Sequence, residues 1–296
     1  MSFSASDVKS LREKTGAGMM KCKEALKECQ GDMDAAVDYL RTKGLAAAEK
    51  KQSRVAAEGI IATASNAKLG VVVEINCETD FVAKGDDFKA FAQSAADYVL
   101  SNEPADINVL KDALGSEASE LTLKLGEKID IRRFVAVKSE GGLGIYNHGG
   151  KIGVLVEINT TADTTSAEFQ ELAKDLSMHV AAANPKFVSG DEIDADFKKR
   201  EADIYAAQLK EQGKPENMIE KIVEGKLRKL ATDVCLLEQK FVKNPDLSVK
   251  KLVAEVAAKL GADISVKSFH KINLGEGIEK REDNLADEVA KMTGKQ

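Results

Sequence analysis

Tryptophan is absent from this 296-residue chain and aromatic residues make up only 5%, so an aromatic side chain placed at a turn asks for an explanation. Four prolines argue against low-complexity tails or Pro-rich linkers. Cys22, Cys29, Cys77 and Cys235 form no CxxC pair and no zinc-type spacing. Free thiols in a reducing compartment fit them better than a disulfide framework. His148, His179 and His270 lie far apart, with no HExxH pattern, so no metal site is expected. No apolar run approaches the roughly 18 residues of a membrane helix. A formal net charge of −6 gives no sign of the basic stripe of a direct nucleic-acid binder. The N-terminal segment lacks the apolar core of a signal peptide, and Asp7 and Glu13 do not suit a transit peptide. A start at Met1 without a presequence favours a bacterial cytoplasm.

Enzyme signatures are missing as well. There is no GxSxG elbow and no Gly-rich dinucleotide turn after a strand. Gly149-Gly150-Lys151 fails as a phosphate loop, because Ile145 stands where its first Gly should and Ile152 replaces the Ser or Thr. The carboxylates fall on helix surfaces. No cofactor is expected, and nothing supports an enzyme.

What is present reads as α+β. Residues 4–42 predict three short helices. Val8 and Leu11 mark the first, after Ser6 as a cap. Met20, Cys22, Ala25 and Leu26 mark the second, which stops at Gly31. Asp32 caps the third, with Ala36, Val37, Tyr39 and Leu40. Thr15-Gly16-Ala17-Gly18-Met19-Met20 puts two methionines on one turn, and both cannot easily point inward. Arg41–Glu58 reads as a helical linker, with Lys50 and Lys51 on a solvated face. An internal repeat follows: Gly70–Asn76 (GVVVEIN) recurs as Gly153–Asn159 (GVLVEIN). Each is followed by a polar corner and an amphipathic helix, and preceded by a strand, Gly59–Ser65 in one copy and Phe134–Ser139 in the other. Two related subdomains with small antiparallel sheets are expected, Gln239–Phe269 completing the second. Between the helix of copy two and that return, Ile193, Phe197, Ile204 and Leu209 stripe one helix. Ile219, Val223, Leu227, Leu230, Val234 and Leu237 stripe another beyond Gly213-Lys214-Pro215. This is an antiparallel coiled-coil hairpin.

The repeat also bears on Cys77–Lys84 (CETDFVAK), where Phe81 sits in a corner usually given to turn residues. Most Phe side chains are buried. Copy one has Thr79-Asp80-Phe81-Val82; copy two has Ala162-Asp163-Thr164-Thr165. If the fold required a large apolar residue there, both copies should carry one. Asp80 has a local role available as a helix cap, whereas Phe81 has none, so Phe81 is expected to point outward.

At these residues the chain strongly resembles the elongation factor Ts family, guanine-nucleotide exchange factors for elongation factor Tu. The resemblance rests on Leu11–Met20 (LREKTGAGMM), Asn76–Lys84 (NCETDFVAK), Tyr146-Asn147-His148-Gly149, Gly213–Gly225 (GKPENMIEKIVEG) and Gly275–Lys280 (GEGIEK). Lys240 departs from it, standing where the family commonly has Pro. The resemblance implies a ubiquitin-associated-like bundle with its linker (1–55) and core subdomains at 56–140 and at 141–190 with 239–274. It also implies a coiled-coil insertion (191–238) and a short C-terminal helical module (275–296). In the family the corner, here Thr79, Asp80, Phe81 and Val82, intrudes beside the magnesium site of the GTPase. Met19 and Met20 contact its nucleotide domain with Arg12 assisting, and the loop of His148 meets a second face. The implied partner is elongation factor Tu, with no nucleic acid or membrane contact. The hairpin is compatible with a homodimer or 2:2 complex and equally with free projection. Two rival readings are a ubiquitin-type adaptor working through the bundle and an enzyme using a Cys77 thiolate.

Overall fold

The structure is a computed structural model that describes residues 3–279, so most of the expected C-terminal module lies outside the described residues. Residues 3–62, 73–134 and 273–279 form one compact unit, and 63–72 with 135–272 form the other.

The first unit begins with α1 (Ala5–Thr15), α2 (Met19–Glu28) and α3 (Met33–Lys51). Ser4, not Ser6, caps α1: its hydroxyl accepts the Asp7 N–H while the Asp7 carboxylate takes the Ser4 N–H at 2.7 Å. That reciprocal pair satisfies two donors at once, which a Ser inside the first turn cannot do. Asp32 caps α3 through the Ala35 N–H at 2.9 Å. α3 runs unbroken through most of the stretch expected to be a linker. Its later turns pack on α6 (Ile107–Leu125), because Gly44 lets the backbones close: a Cβ there would stand 3.2 Å from the Ser119 carbonyl. Leu123 of α6 joins Leu11, Leu26 and Leu40 in one core. Lys51 is not simply solvated, since it donates to the Gly126 carbonyl.

β1 (Glu58–Ser65), β2 (Leu69–Cys77) and β3 (Asp130–Lys138) make a sheet in that order. Between β2 and β3 run α4 (Asp80–Lys84), α5 (Asp86–Asn102) and α6. The apolar stripe of α5, from Phe88 to Val99, is buried as its helical spacing requires. All nine residues of β2 are buried, Glu74 among them. A lone buried carboxylate would be costly. Glu74 is met by Arg132 Nη1 at 2.9 Å, Arg133 Nε at 2.6 Å and the Gly275 N–H at 2.8 Å. Burial works against its ionised form, but the Gly275, Arg133 and Arg132 bonds outweigh that and hold its carboxyl below the usual range.

The second unit holds β4 (Gly142–His148), β5 (Ile152–Thr160), α7 (Ala167–Ala183), α8 (Ala195–Glu211), α9 (Glu216–Val234), β6 (Lys240–Phe241), β7 (Asn244–Ser248), α10 (Val249–Leu260) and β8 (Ile264–Asn273). Its main sheet is ordered β4-β5-β8, with β4 and β5 antiparallel. This corrects one expectation. The strand before copy two's GVLVEIN is Gly142–His148, and Phe134–Ser139 falls largely in β3 of the other sheet. Gly142 and Gly153 share the spacing of Gly59 and Gly70, so the true repeat begins eight residues later than its alternating pattern suggested. Gly144 is needed for close packing of β4 on α7, since a Cβ there would meet the Ala173 carbonyl at 2.4 Å.

Each copy is thus strand, strand, helix, helix, strand, with α8 and α9 inserted between the helices of copy two. Even the buried glutamate recurs: Glu157 on β5 is met by Lys267 Nζ at 2.9 Å and Ser268 Oγ at 3.1 Å from β8. α8 and α9 pack together, with Phe197, Leu209, Ile219 and Leu230 buried. Ile204 does not belong to the seam, being 43% exposed, because Tyr205 beside it faces α9 and carries Lys226 over its ring. At the hairpin's return, buried His179 bonds Gln239 Oε1 at 3.0 Å and accepts the Val242 N–H at 3.3 Å. Burial pushes its pKa down, so it sits there neutral.

Replacing Glu74 by Gln removes the charge its partners were placed to meet, at a cost of about 3 kcal/mol near neutral pH. Because the folded pKa is depressed, this contribution is present above the unfolded value of about 4.3 and is lost as pH falls through the folded one. Urea unfolding of wild type and Glu74→Gln is expected to show a gap that narrows below pH about 4. A gap independent of pH would contradict the ionised assignment.

Candidate functional site

The corner between β2 and α5 is held by polar groups, leaving its one large apolar side chain outside. Thr79, rather than Asp80, is the cap: it precedes α4, and its hydroxyl accepts the Val82 N–H at 3.4 Å. The same hydroxyl donates to Glu127 Oε1 at 2.6 Å. Glu127 Oε2 accepts the N–H groups of Glu78 and Thr79 at 3.1 and 3.0 Å. In return, the Glu78 carboxylate accepts the Lys128 N–H at 2.7 Å and lies 3.2 Å from Arg54 Nη1. Lys128 Nζ reaches the carbonyls of Gln52 and Arg54, just beyond α3.

Ala83 anchors α4 in the core while Asp80 pairs with Lys84 at 2.6 Å. Phe81 then stands 83% exposed, the most exposed of the large hydrophobic side chains among the described residues. Val82 beside it is half-buried. Cys77 is fully buried with its thiol against the Thr79 carbonyl at 3.1 Å, a packed hydrogen-bonding group rather than an accessible nucleophile.

The two methionines also face out, Met20 at 76% and Met19 at 47% exposure, while Ala17 and Cys22 on either side turn into the bundle core. One helical turn cannot bury all four, and the smaller pair goes inside. Arg12 is exposed on α1. Arg12, Met19, Met20 and Thr79 to Val82 all belong to the first unit.

His148 belongs to the second unit, exposed at the end of β4. The turn that follows is closed by the Lys151 N–H on the His148 carbonyl at 3.0 Å, with Gly149 and Gly150 both at positive φ. Its Nδ1 lies 2.9 Å from the Tyr146 hydroxyl, which sets the ring's orientation. Tyr146 and Asn147 line a groove of about 620 Å3 along β4 and α7, where Lys243 pairs with Asp175 at 2.5 Å. No group of three His, Cys, Asp or Glu residues able to hold a metal occurs among the described residues. Nor is any helix among them long and apolar enough to cross a membrane.

Glu127, Glu78 and Lys128 were not among the residues singled out from sequence. Glu127 lies far along the chain from the corner it holds, and a carboxylate just after a helix reads as an ordinary surface group.

A family model described as Elongation factor TS matches residues 78–276. The chain is 50% identical over 300 residues to a relative named Elongation factor Ts from Clostridioides difficile (strain 630), with 98% of each chain covered. It is 47% identical over 309 residues to one of the same name from Trichlorobacter lovleyi, with 99% of each covered. Another from Magnetococcus marinus is 46% identical over 302 residues, again with 99% of each covered.

Side chains this exposed add little to folding. Phe81→Ala and Met20→Ala are each expected to change unfolding free energy by no more than about 0.5 kcal/mol in urea titrations. A loss of about 2 kcal/mol or more would mean that the side chain is a core residue in solution.

Proposed function

The chain belongs to the elongation factor Ts family, and from that premise we propose that it acts in translation elongation as a guanine-nucleotide exchange factor, binding elongation factor Tu·GDP and promoting GDP release so that GTP can rebind. The observation that carries the reading is Phe81, an aromatic ring held almost wholly in solvent by a corner whose polar groups are already satisfied.

Exchange requires no bond-making by this protein, in keeping with a translation factor rather than an enzyme. Magnesium in the GTPase demands near-ideal octahedral geometry from phosphate oxygens, a protein hydroxyl and waters. An apolar wedge that shifts a supporting helix by about an ångström spoils that geometry. Phe81 supplies the wedge, with Val82 packed beside it. Asp80 draws on donors that orient the metal's shell. Its pairing with Lys84 is no obstacle, since an exposed i,i+4 pair is worth only about 0.3–0.5 kcal/mol. Thr79 fixes the turn. Met19 and Met20, adaptable apolar side chains, and Arg12 give the bundle its grip, and His148 gives a second hold. Linkage closes the cycle: a factor that binds the empty GTPase more tightly weakens GDP binding by the same ratio, and incoming GTP releases the factor. The division into bundle, two core subdomains, hairpin and C-terminal module, the bundle's likeness to ubiquitin-associated domains and a cytoplasmic setting belong to the same proposal. So does the hairpin as the seat of any homodimer or 2:2 complex.

Burying Phe81 in the partner is worth about 1.5–3 kcal/mol, which expressed in the metal-releasing state corresponds to roughly ten- to a hundredfold in rate. Fluorescent GDP release from elongation factor Tu should slow by that factor with Phe81→Ala at saturating concentration. Release at the wild-type rate would sink the wedge. Met20→Ala should instead raise the concentration needed for half-maximal release and leave the plateau within about twofold. A lowered plateau with unchanged half-saturation would contradict its role in grip.

A further inference from the structure

We propose that Glu127 is a positioning residue for the wedge: by holding the N–H groups of Glu78 and Thr79 and the Thr79 hydroxyl, its carboxylate fixes the direction in which the corner presents Phe81. This rests on the exchange reading above and adds to it a residue from outside the corner.

The repeat separates what the fold needs from what copy one adds. With Asn76 matched to Asn159, Glu78 corresponds to Thr161, Thr79 to Ala162 and Phe81 to Thr164. With Gly126 matched to Gly261 after the second helix, Glu127 corresponds to Ala262 and Lys128 to Asp263. One tie is common to both copies: the corner side chain accepts the loop N–H. Glu78 Oε1 takes the Lys128 N–H at 2.7 Å, and Thr161 Oγ1 takes the Asp263 N–H at 3.1 Å. In copy two the two corner N–H groups are satisfied without a carboxylate, Thr161 donating to the Asp263 carbonyl at 3.2 Å and Ala162 to the Thr160 hydroxyl at 2.9 Å. Ala262 has no side-chain acceptor to offer, and Ala162 has no hydroxyl to donate to one. The junction therefore closes without a carboxylate at the second position.

Copy one replaces these two bonds with three to Glu127, the third from the Thr79 hydroxyl. It is also the copy that carries Phe81. The link to the ring is short. Thr79 Oγ1, donating to Glu127, still has a lone pair for the Val82 N–H, so the carboxylate orients the hydroxyl that caps α4, and Phe81 lies in that helix's first turn. Bonds to an ionised acceptor are shorter and stronger than neutral ones, and two N–H donors on one oxygen with a hydroxyl on the other leave the peptide plane little freedom. An exposed ring on a five-residue helix gets no direction from packing. It gets it from this clasp.

The test crosses Glu127→Ala and Glu127→Gln with Phe81→Ala in the full chain, reading fluorescent GDP release from elongation factor Tu. A misdirected wedge should lower the saturating rate of Glu127→Ala about tenfold, with the half-saturating concentration changed less than about threefold. Glu127→Gln keeps one acceptor oxygen and should fall between. In the Phe81→Ala background, Glu127→Ala should cost nothing further, because there is no ring left to aim. Equal losses in both backgrounds, an unchanged rate for Glu127→Ala, or unfolding of both Glu127 variants by circular dichroism would overturn the proposal. A normal rate for Phe81→Ala alone would overturn it together with the wedge, and is told apart because it is read in the single variant.

Discussion

The carboxylate of Glu127 meets three donors at a place where the chain must turn out of a wholly buried strand. Main-chain N–H groups at such a corner are costly to leave unpaired. Hydrogen bonds to a charged group are worth about 1.5–3 kcal/mol each, and leaving a Phe in water forgoes a similar amount. With the corner secured by polar contacts, an apolar side chain is not required to hold it, and Phe81 is free for a partner. The arrangement extends inward as well, since Glu78 and Lys128 join the same loop to the chain just after α3. The end of the N-terminal bundle and the corner therefore share one support within the first unit.

Duplication supplies the scaffold on which that corner is a local departure. In both copies a glutamate on the central strand is buried and met by two consecutive residues of the third strand, Arg132 and Arg133 in one and Lys267 and Ser268 in the other. Such a carboxylate fixes which strand lies beside it and in what register, because a slip would leave the charge unpaired in the core. Copy one adds to this the Gly275 N–H, fastening the segment after β8 to the same glutamate.

Much of this was legible in the sequence because it is local or periodic. The helices of the bundle, the β2 and β5 repeat, the stripe of α5 and the outward Phe81 all follow from spacing within a few turns, or from comparing one copy with the other. The errors have physical causes. Phe134–Ser139 alternates like a strand and is one, but strand character does not say which sheet receives it. Ile204 sits at helical spacing from Phe197, yet the hairpin's crossing selects Tyr205 instead. Ser6 is a good capping residue two positions too late. Glu127 was out of reach for another reason: its role is set by three-dimensional contact across about fifty residues, and no period connects it to the corner. Aligning the second half of the repeat would have exposed it as a carboxylate opposite an alanine.

The role proposed for Phe81 runs through the partner's magnesium rather than through general affinity, and metal dependence tests that proposal most directly. Release of fluorescent GDP from elongation factor Tu would be measured at saturating wild-type or Phe81→Ala protein across free magnesium, from millimolar levels down to full chelation. If the ring works by spoiling metal coordination, the wild-type advantage is large at millimolar magnesium and collapses toward unity once the metal is removed. An advantage that persists undiminished under chelation would contradict the mechanism.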